Sequence, residues 1–362
     1  MTEIPFHRDR AESAVSTPLT LAALEAFDDI LDARSPSEFA EDRLPGATSA
    51  PALDDAERAL VGTLYKQHSA FEAKRAGAPL VAKNIARLIE ERFADKPRGW
   101  RPLVYCWRGG GRSGSLVHVL RQVGWDAVRL DGGYKAFRRQ VVAELDSMPL
   151  ELRLRVVCGP TGSGKSRLLE ALGRAGAQVL DLEALAAHRG SVLGDLPEAP
   201  QPSQKAFETS LWTLLSRFDP ARTVYVESES RKVGNLRVPD VLLARMRDSE
   251  CLRLESPTGS RVRLLMEEYE HFVRAPAALA EKLDLLKDLH GAARIGEWKA
   301  LAAGGDWDGL VARLLEGHYD PAYLRSLPRN YKGAQHAPAL EVRDISPAGF
   351  DELARRARAD HG

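Results

Sequence analysis

Residues 159–166 read Gly159-Pro160-Thr161-Gly162-Ser163-Gly164-Lys165-Ser166, a complete G-x-x-x-x-G-K-S octet. Its surroundings leave little freedom in the fold. The preceding run 152–158 predicts a strand, and Leu168, Leu169 and Leu172 recur behind it at helical spacing. A glycine loop between a strand and a helix aims consecutive backbone N–H groups at an anion, and the helix dipole adds to the field. Gly159, Thr161, Gly162, Ser163 and Gly164 make the cradle, Lys165 reaches the terminal phosphates, and the Ser166 hydroxyl is a Mg²⁺ ligand candidate. The octet specifies a di- or triphosphate and not a base. Further strands are predicted at 177–181 and 223–227 with a helix between them, which reads as a parallel α/β sheet.

A second strand–loop–helix lies upstream. Residues 102–106 predict a strand ending in Cys106. Arg108, Gly109, Gly110, Gly111, Arg112 and Ser113 follow, and a helix is predicted over 113–123. A thiol at the mouth of a Gly- and Arg-rich anion loop is expected to ionise readily and act as a nucleophile. Residues 31–39 with 44–47, the Cys106 loop, and Leu130-Asp131-Gly132-Gly133-Tyr134 together resemble the signatures of rhodanese domains. Cys106 to Arg112 is C-x5-R, one residue longer than in the sulfur-transferring members. That longer spacing resembles phosphatases and arsenate reductases, so the loop is expected to hold a tetrahedral, phosphate-like donor.

With 362 residues the chain is expected to form two to three domains. A break is predicted at Met148-Pro149. The expected division is a rhodanese-like α/β domain over 1–147, a P-loop parallel α/β domain with a helical extension over 150–335, and a C-terminal strand and helix over 336–362. From about residue 259 the chain reads as helical, with helices expected at 262–273, 276–289, 295–303 and 307–316. The formal net charge is zero, yet residues 101–140 carry eight Lys/Arg against two Asp/Glu, and 231–263 carry eight against four. These excesses suit a polyanion and equally suit solvated helix faces. Arg138, Arg139, Arg231 and Lys232 are the candidates for such contacts. Three cysteines in separate segments give no disulfide framework and no zinc spacing. The N-terminus lacks an apolar h-region and no run is long enough to span a membrane, so a cytoplasmic location is expected.

Smaller signals cluster at predicted strand ends, where open α/β sheets bind ligands. Asp181-Leu182-Glu183 precedes His188-Arg189-Gly190-Ser191. The strand 223–227 ends in Glu227 and Glu229, placed like the acidic strand that supports Mg²⁺ in P-loop proteins. Glu227 is therefore a second Mg²⁺ ligand candidate. Glu229 and Arg231 also read as an ordinary ion pair, and His188 as a hydrogen-bonded loop residue. Trp212, Trp298 and Trp307 are most simply core residues.

Taken with Gln201-Pro202-Ser203-Gln204, Glu227-Ser228-Glu229-Ser230-Arg231 and His318-Tyr319-Asp320-Pro321, these motifs resemble the tRNA 2-selenouridine synthases. The resemblance runs from about residue 31 to 325, and the tail after Lys332 falls outside it. It implies a transferase acting on wobble 2-thiouridine of tRNA. Geranyl diphosphate first S-alkylates the base, and selenophosphate then replaces the geranylated sulfur with selenium. No tightly bound cofactor is implied, and Mg²⁺ stays a candidate at the P-loop. The P-loop is then the diphosphate site, and Cys106 accepts selenium as a perselenide or assists its transfer. Glu183, His188, Arg189, Glu227, Glu229 and Arg231 are the expected supporting residues. Two other readings stay open. One is a sulfurtransferase or C-x5-R phosphatase fused to an NTPase and acting on a small molecule. The other is a non-catalytic regulator in which a P-loop gates a rhodanese-fold binding module.

Overall fold

The computed structural model describes residues 14–16 and 18–361. They form two compact units. The first runs through Glu144 and also takes in Ser203–Ser216; the second comprises Leu145–Pro202 and Arg217–Gly362.

The first unit is built on five strands: β1 (Ala14–Val15), β2 (Asp29–Asp32), β3 (Ala47–Ser49), β4 (Pro102–Tyr105) and β5 (Val128–Leu130). They pair in parallel in the order β1-β5-β4-β2-β3. The central β4 is buried along its whole length, as expected of a strand covered on both faces. Leu31, Val104, Leu116 and Leu120 form one core with Phe93, Trp100 and Trp125. Trp100 meets Trp125 edge-on at 5.2 Å. Most of the helical span expected between residues 51 and 98 is the pair Asp55–Gln67 and Ala70–Leu88.

The helix Gln204–Leu215 belongs to this unit although it is encoded between two strands of the other. Its apolar face explains why. Phe207, Leu211, Trp212 and Leu215 are buried. Trp212 packs edge-on against Phe137 at 5.4 Å, and its indole N–H donates to Glu144 at 2.6 Å. Arg138 pairs with Glu208. The division expected from chain order therefore differs from the compact units.

The second unit is a parallel five-stranded sheet in the order β12-β11-β6-β8-β7, with β6 (Arg153–Cys158), β7 (Gln178–Leu180), β8 (Thr223–Glu227), β11 (Glu250–Glu255) and β12 (Ala339–Glu341). A short antiparallel hairpin, β9 (Lys232–Val233) and β10 (Leu236–Arg237), follows β8. The C-terminal residues are integral here. β12 pairs with β11, and the helix Pro347–His361 buries Phe350, Leu353, Ala354 and Ala357 in one cluster with Leu168, Leu169 and Leu172 of the helix Lys165–Arg174. The residues from 258 to 330 fold as successive helices. Among the described residues no helix is long and apolar enough to cross a membrane.

Candidate functional site

The chain presents two candidate sites, one in each unit. In the first unit Cys106 stands just past β4 and is buried. The Ser113 hydroxyl, itself fully buried, donates to the Cys106 sulfur at 3.2 Å and lies 3.3 Å from the Gly110 carbonyl. The helix Gly111–Val123 begins at this loop with no side-chain cap, so its first N–H groups are left to the loop's concavity. The residues after β5 hold the loop from behind. Tyr134 N–H donates to the Cys106 carbonyl at 2.9 Å, and Lys135 N–H to that of Trp107 at 3.0 Å. This close approach needs glycine at Gly133, where φ is +56° and a Cβ would collide with the Cys106 carbonyl oxygen.

Arg112 is fixed by the first signature. Its guanidinium donates to Glu38 at 2.6 Å. Burial alone would raise the Glu38 carboxyl, but Arg112 and the Ser35 N–H outweigh it, and the group lies below its ordinary value. Arg108 is exposed beside the loop. Under the site lies a buried polar network. Arg34, fully buried, meets Asp32 at 2.6 Å and the Asp42 carbonyl at 2.6 Å, and stacks over Tyr134 at 3.9 Å. Tyr105 donates to Asp32 at 2.7 Å, and Tyr134 and Thr209 donate to Asp42 at 2.7 and 3.0 Å. Arg34 and Asp32 pair their charges, and the Asp42 carboxyl, raised by burial, is held by two hydroxyl donors.

In the second unit the P-loop lines a cleft of about 830 Å³. Thr161, Gly162, Ser163, Gly164, Lys165 and Ser166 all border it, as do Glu183, Arg189, Glu229 and His318. Gly162 and Gly164 have φ of +75° and +90°, and a Cβ on Gly164 would run into the Phe350 ring. Lys165 donates to the Gly159 carbonyl at 2.9 Å. Ser166 donates to Glu183 at 3.2 Å. Burial, then the neighbouring Glu229, push the Glu183 carboxyl up to about 8. Burial raises Glu229 as well. Gly190, at φ +62°, lies against both carboxylates; a Cβ there would stand 2.6 Å from Glu183 and 2.9 Å from Glu229. One Arg189 Nη is buried and has no hydrogen-bond partner among the described residues, and the guanidinium stacks over Tyr269 at 4.8 Å. A half-buried guanidinium with one enclosed N–H group beside a phosphate loop suits an anionic ligand.

The other expected residues fall elsewhere. Glu227 is almost fully buried and does not border the cleft. One of its oxygens accepts from the N–H groups of Leu182 and Glu183 at 2.6 and 2.9 Å, and the other has no partner among the described residues. Ser166 and Glu227 thus do not fit a shared Mg²⁺; Glu183 and Glu229 are the carboxylates that face the cleft. No cluster of three or more His, Cys, Asp or Glu suited to a metal occurs among the described residues. His188 is a loop hydrogen-bonder, accepting from Gly190 N–H at 3.1 Å and standing 3.3 Å from Asp195. Arg231 pairs with Asp240 at 3.3 Å, not with Glu229.

The sequence reading missed Arg261. It is buried, donates to the Thr161 carbonyl at 2.9 Å and forms a two-pronged pair with Asp320 at 2.6 and 2.9 Å. The motif of residues 318–321 thus buttresses the phosphate loop. Its signal in sequence was the motif itself; the arginine stood alone.

Family models match both units. The rhodanese-like domain matches residues 17–140, and the tRNA 2-selenouridine synthase AAA domain matches residues 152–284. The tRNA 2-selenouridine synthase of Bdellovibrio bacteriovorus is 31% identical over 349 residues, covering 83% of this chain and 89% of the relative. The chain belongs to the tRNA 2-selenouridine synthase family. The relative from Sulfurovum is 32% identical over 330 residues, with coverages of 83% and 89%. The one from Nitrosomonas europaea is 37% identical over 261 residues, 70% of this chain and 66% of that protein, so this match spans about two thirds of the relative. Both motif loops described above lie inside the matched domains of the family.

Proposed function

We propose that this chain converts the wobble 2-thiouridine of tRNA to 2-selenouridine in two steps. In the first, the thione sulfur attacks C1 of geranyl diphosphate, an S–C bond forms, and diphosphate leaves. Alkylation removes the N3 proton of the thiouracil ring, and the Glu183–Glu229 pair is the group in the cleft suited to take it. Thr161–Ser166 N–H groups, Lys165 and Arg189 stabilise the charge that develops on the departing diphosphate. In the second step selenium of selenophosphate bonds to C2 and the geranyl thiol leaves. Cys106 then takes the phosphoryl group: an S–P bond forms as the Se–P bond breaks. Water releases phosphate and restores the thiol. The observation that carries this reading is a nucleophile at a C-x5-R anion loop and a complete diphosphate loop in one chain of this family.

Nucleoside analysis of tRNA tests it. Cys106→Ala should lose 2-selenouridine and accumulate S-geranyl-2-thiouridine. Lys165→Ala should lose geranylation but keep selenation of pre-geranylated tRNA. Normal 2-selenouridine in the first variant, or normal geranylation in the second, overturns the corresponding assignment. A chain that modifies no tRNA returns the protein to small-molecule chemistry.

A further inference from the structure

An apolar slot opens off the P-loop cleft. Thr161, Leu265, Tyr269 and Tyr319 line both cavities. Past them the slot is bounded by Met266, Phe272, Leu279, Trp307, Leu310 and Val311, and no charged side chain faces it. It lies along the seam between two packed clusters, one around Leu265 and Leu315 and one around Phe272 and Leu310. Interiors are close-packed, and an unfilled apolar seam costs stability. The slot is narrow, about 60 Å³ against about 830 Å³ for the cleft. Past the mouth its walls are apolar side chains, which suit a hydrocarbon chain. Its mouth is marked by opposite chemistry: Thr161 of the phosphate loop, and Arg189 stacked on Tyr269 with a buried Nη unpartnered among the described residues. A ligand that satisfies both ends has an anionic head and an unbranched or lightly branched hydrocarbon tail.

We propose that this slot seats the isoprenoid tail of the alkyl donor and sets the tail length the protein accepts, with Trp307, Leu279 and Val311 as the residues that bound it. The proposal rests on the alkylation reading for the identity of the donor. The slot gives that donor its affinity, while the P-loop holds the head.

Titration calorimetry on the full-length protein separates head from tail, using inorganic pyrophosphate and the C5, C10 and C15 prenyl diphosphates. Burial of even four methylene equivalents corresponds to on the order of a hundredfold in affinity, so geranyl diphosphate should bind at least that much tighter than pyrophosphate. Val311→Phe, which fills the slot, should erase most of this tail advantage and leave pyrophosphate binding unchanged. Trp307→Ala, at a half-buried position, should narrow the gap between C15 and C10 donors by about tenfold or more. Unchanged pyrophosphate affinity shows that each variant has folded. Equal affinity for pyrophosphate and geranyl diphosphate in the wild type overturns the slot. So does a tail advantage that neither variant moves. Tight, slot-dependent binding without transfer to thiolated tRNA overturns the proposed reaction and leaves the slot standing.

Discussion

Asp320 lies outside the P-loop octet, yet the geometry makes it a support of the phosphate cradle. Its carboxylate takes both prongs of Arg261, whose Nε holds the Thr161 carbonyl. The Arg261 side chain is 6% exposed and Asp320 is 29% exposed. Asp320→Ala leaves a buried guanidinium with one partner in place of two. Breaking a fully buried pair costs about 3–5 kcal/mol, and the partial exposure of Asp320 brings the expected loss to about 2–4 kcal/mol. For a unit of this size that lowers its unfolding midpoint by about 5–15 °C. Loosening the Thr161 carbonyl should also weaken pyrophosphate binding by about tenfold.

Differential scanning calorimetry and pyrophosphate titration read the two effects separately. The double variant Arg261→Met with Asp320→Leu removes both charges and fills the space, so it should regain most of the stability. It cannot restore the bond to Thr161, so its pyrophosphate affinity should stay low. If Asp320→Ala unfolds within about 1 °C of the wild type and binds pyrophosphate normally, Arg261 is no buttress and the reasoning fails. A double variant less stable than Asp320→Ala would equally refute it.

Gly133→Ala puts a methyl against the Cys106 carbonyl at a positive φ, and should abolish 2-selenouridine formation while geranylation in nucleoside assays stays near normal. Glu183 ionises near 8 in the folded chain against an ordinary value of 4.5, so its contribution to stability is complete below pH 4.5 and lost as pH rises toward 8. Glu183→Gln should therefore gain melting temperature relative to the wild type across that window; a constant difference from pH 5 to 8 would place the carboxyl at its ordinary value. Arg139 is exposed, whereas Arg138 is tied to Glu208. Arg139→Gln should flatten the log–log salt dependence of tRNA binding by about 0.7–0.9, and an unchanged slope would remove Arg139 from the interface.

Much of the fold was legible because glycine loops between apolar runs admit few structures. The strand ahead of Cys106, the strand ahead of Gly159 and the helix behind each loop stand where periodicity put them. β11 was not legible. Its apolar residues Cys251, Leu252 and Leu254 are interrupted by Arg253 and flanked by Glu250 and Glu255, so it lacks the continuous apolar run of a central parallel strand. No glycine or proline separates it from the helix Asp240–Arg247. The helix Gln204–Leu215 was legible as a helix between strands but not in its allegiance. Only the contacts of Trp212 with Phe137 and Glu144 reveal which core it completes, and those partners lie about seventy residues upstream.

The sites divide in the same way. Phosphate loops announce themselves because their chemistry needs backbone N–H groups in succession, and glycine at fixed offsets is the mark of that need. Glu227 shows the limit of such reasoning. Strand-end position correctly put a carboxylate there, but β8 ends at Glu227 and Glu229 lies two residues past it, so the strand's alternation no longer sets its direction and the two are not interchangeable. Glu227 is spent on the N-terminus of the helix Leu182–Ala186, while Glu229 reaches the cleft with Glu183. The apolar slot had no local signature at all. Leu265, Phe272, Leu279, Trp307 and Val311 each fit an ordinary amphipathic helix, and each would read as core in any helical bundle. What distinguishes them is a gap between two packed clusters, a property of how four helices meet rather than of any one of them. A hydrocarbon subsite made this way can change its length preference through single substitutions along the seam, while the octet that holds the phosphates stays fixed.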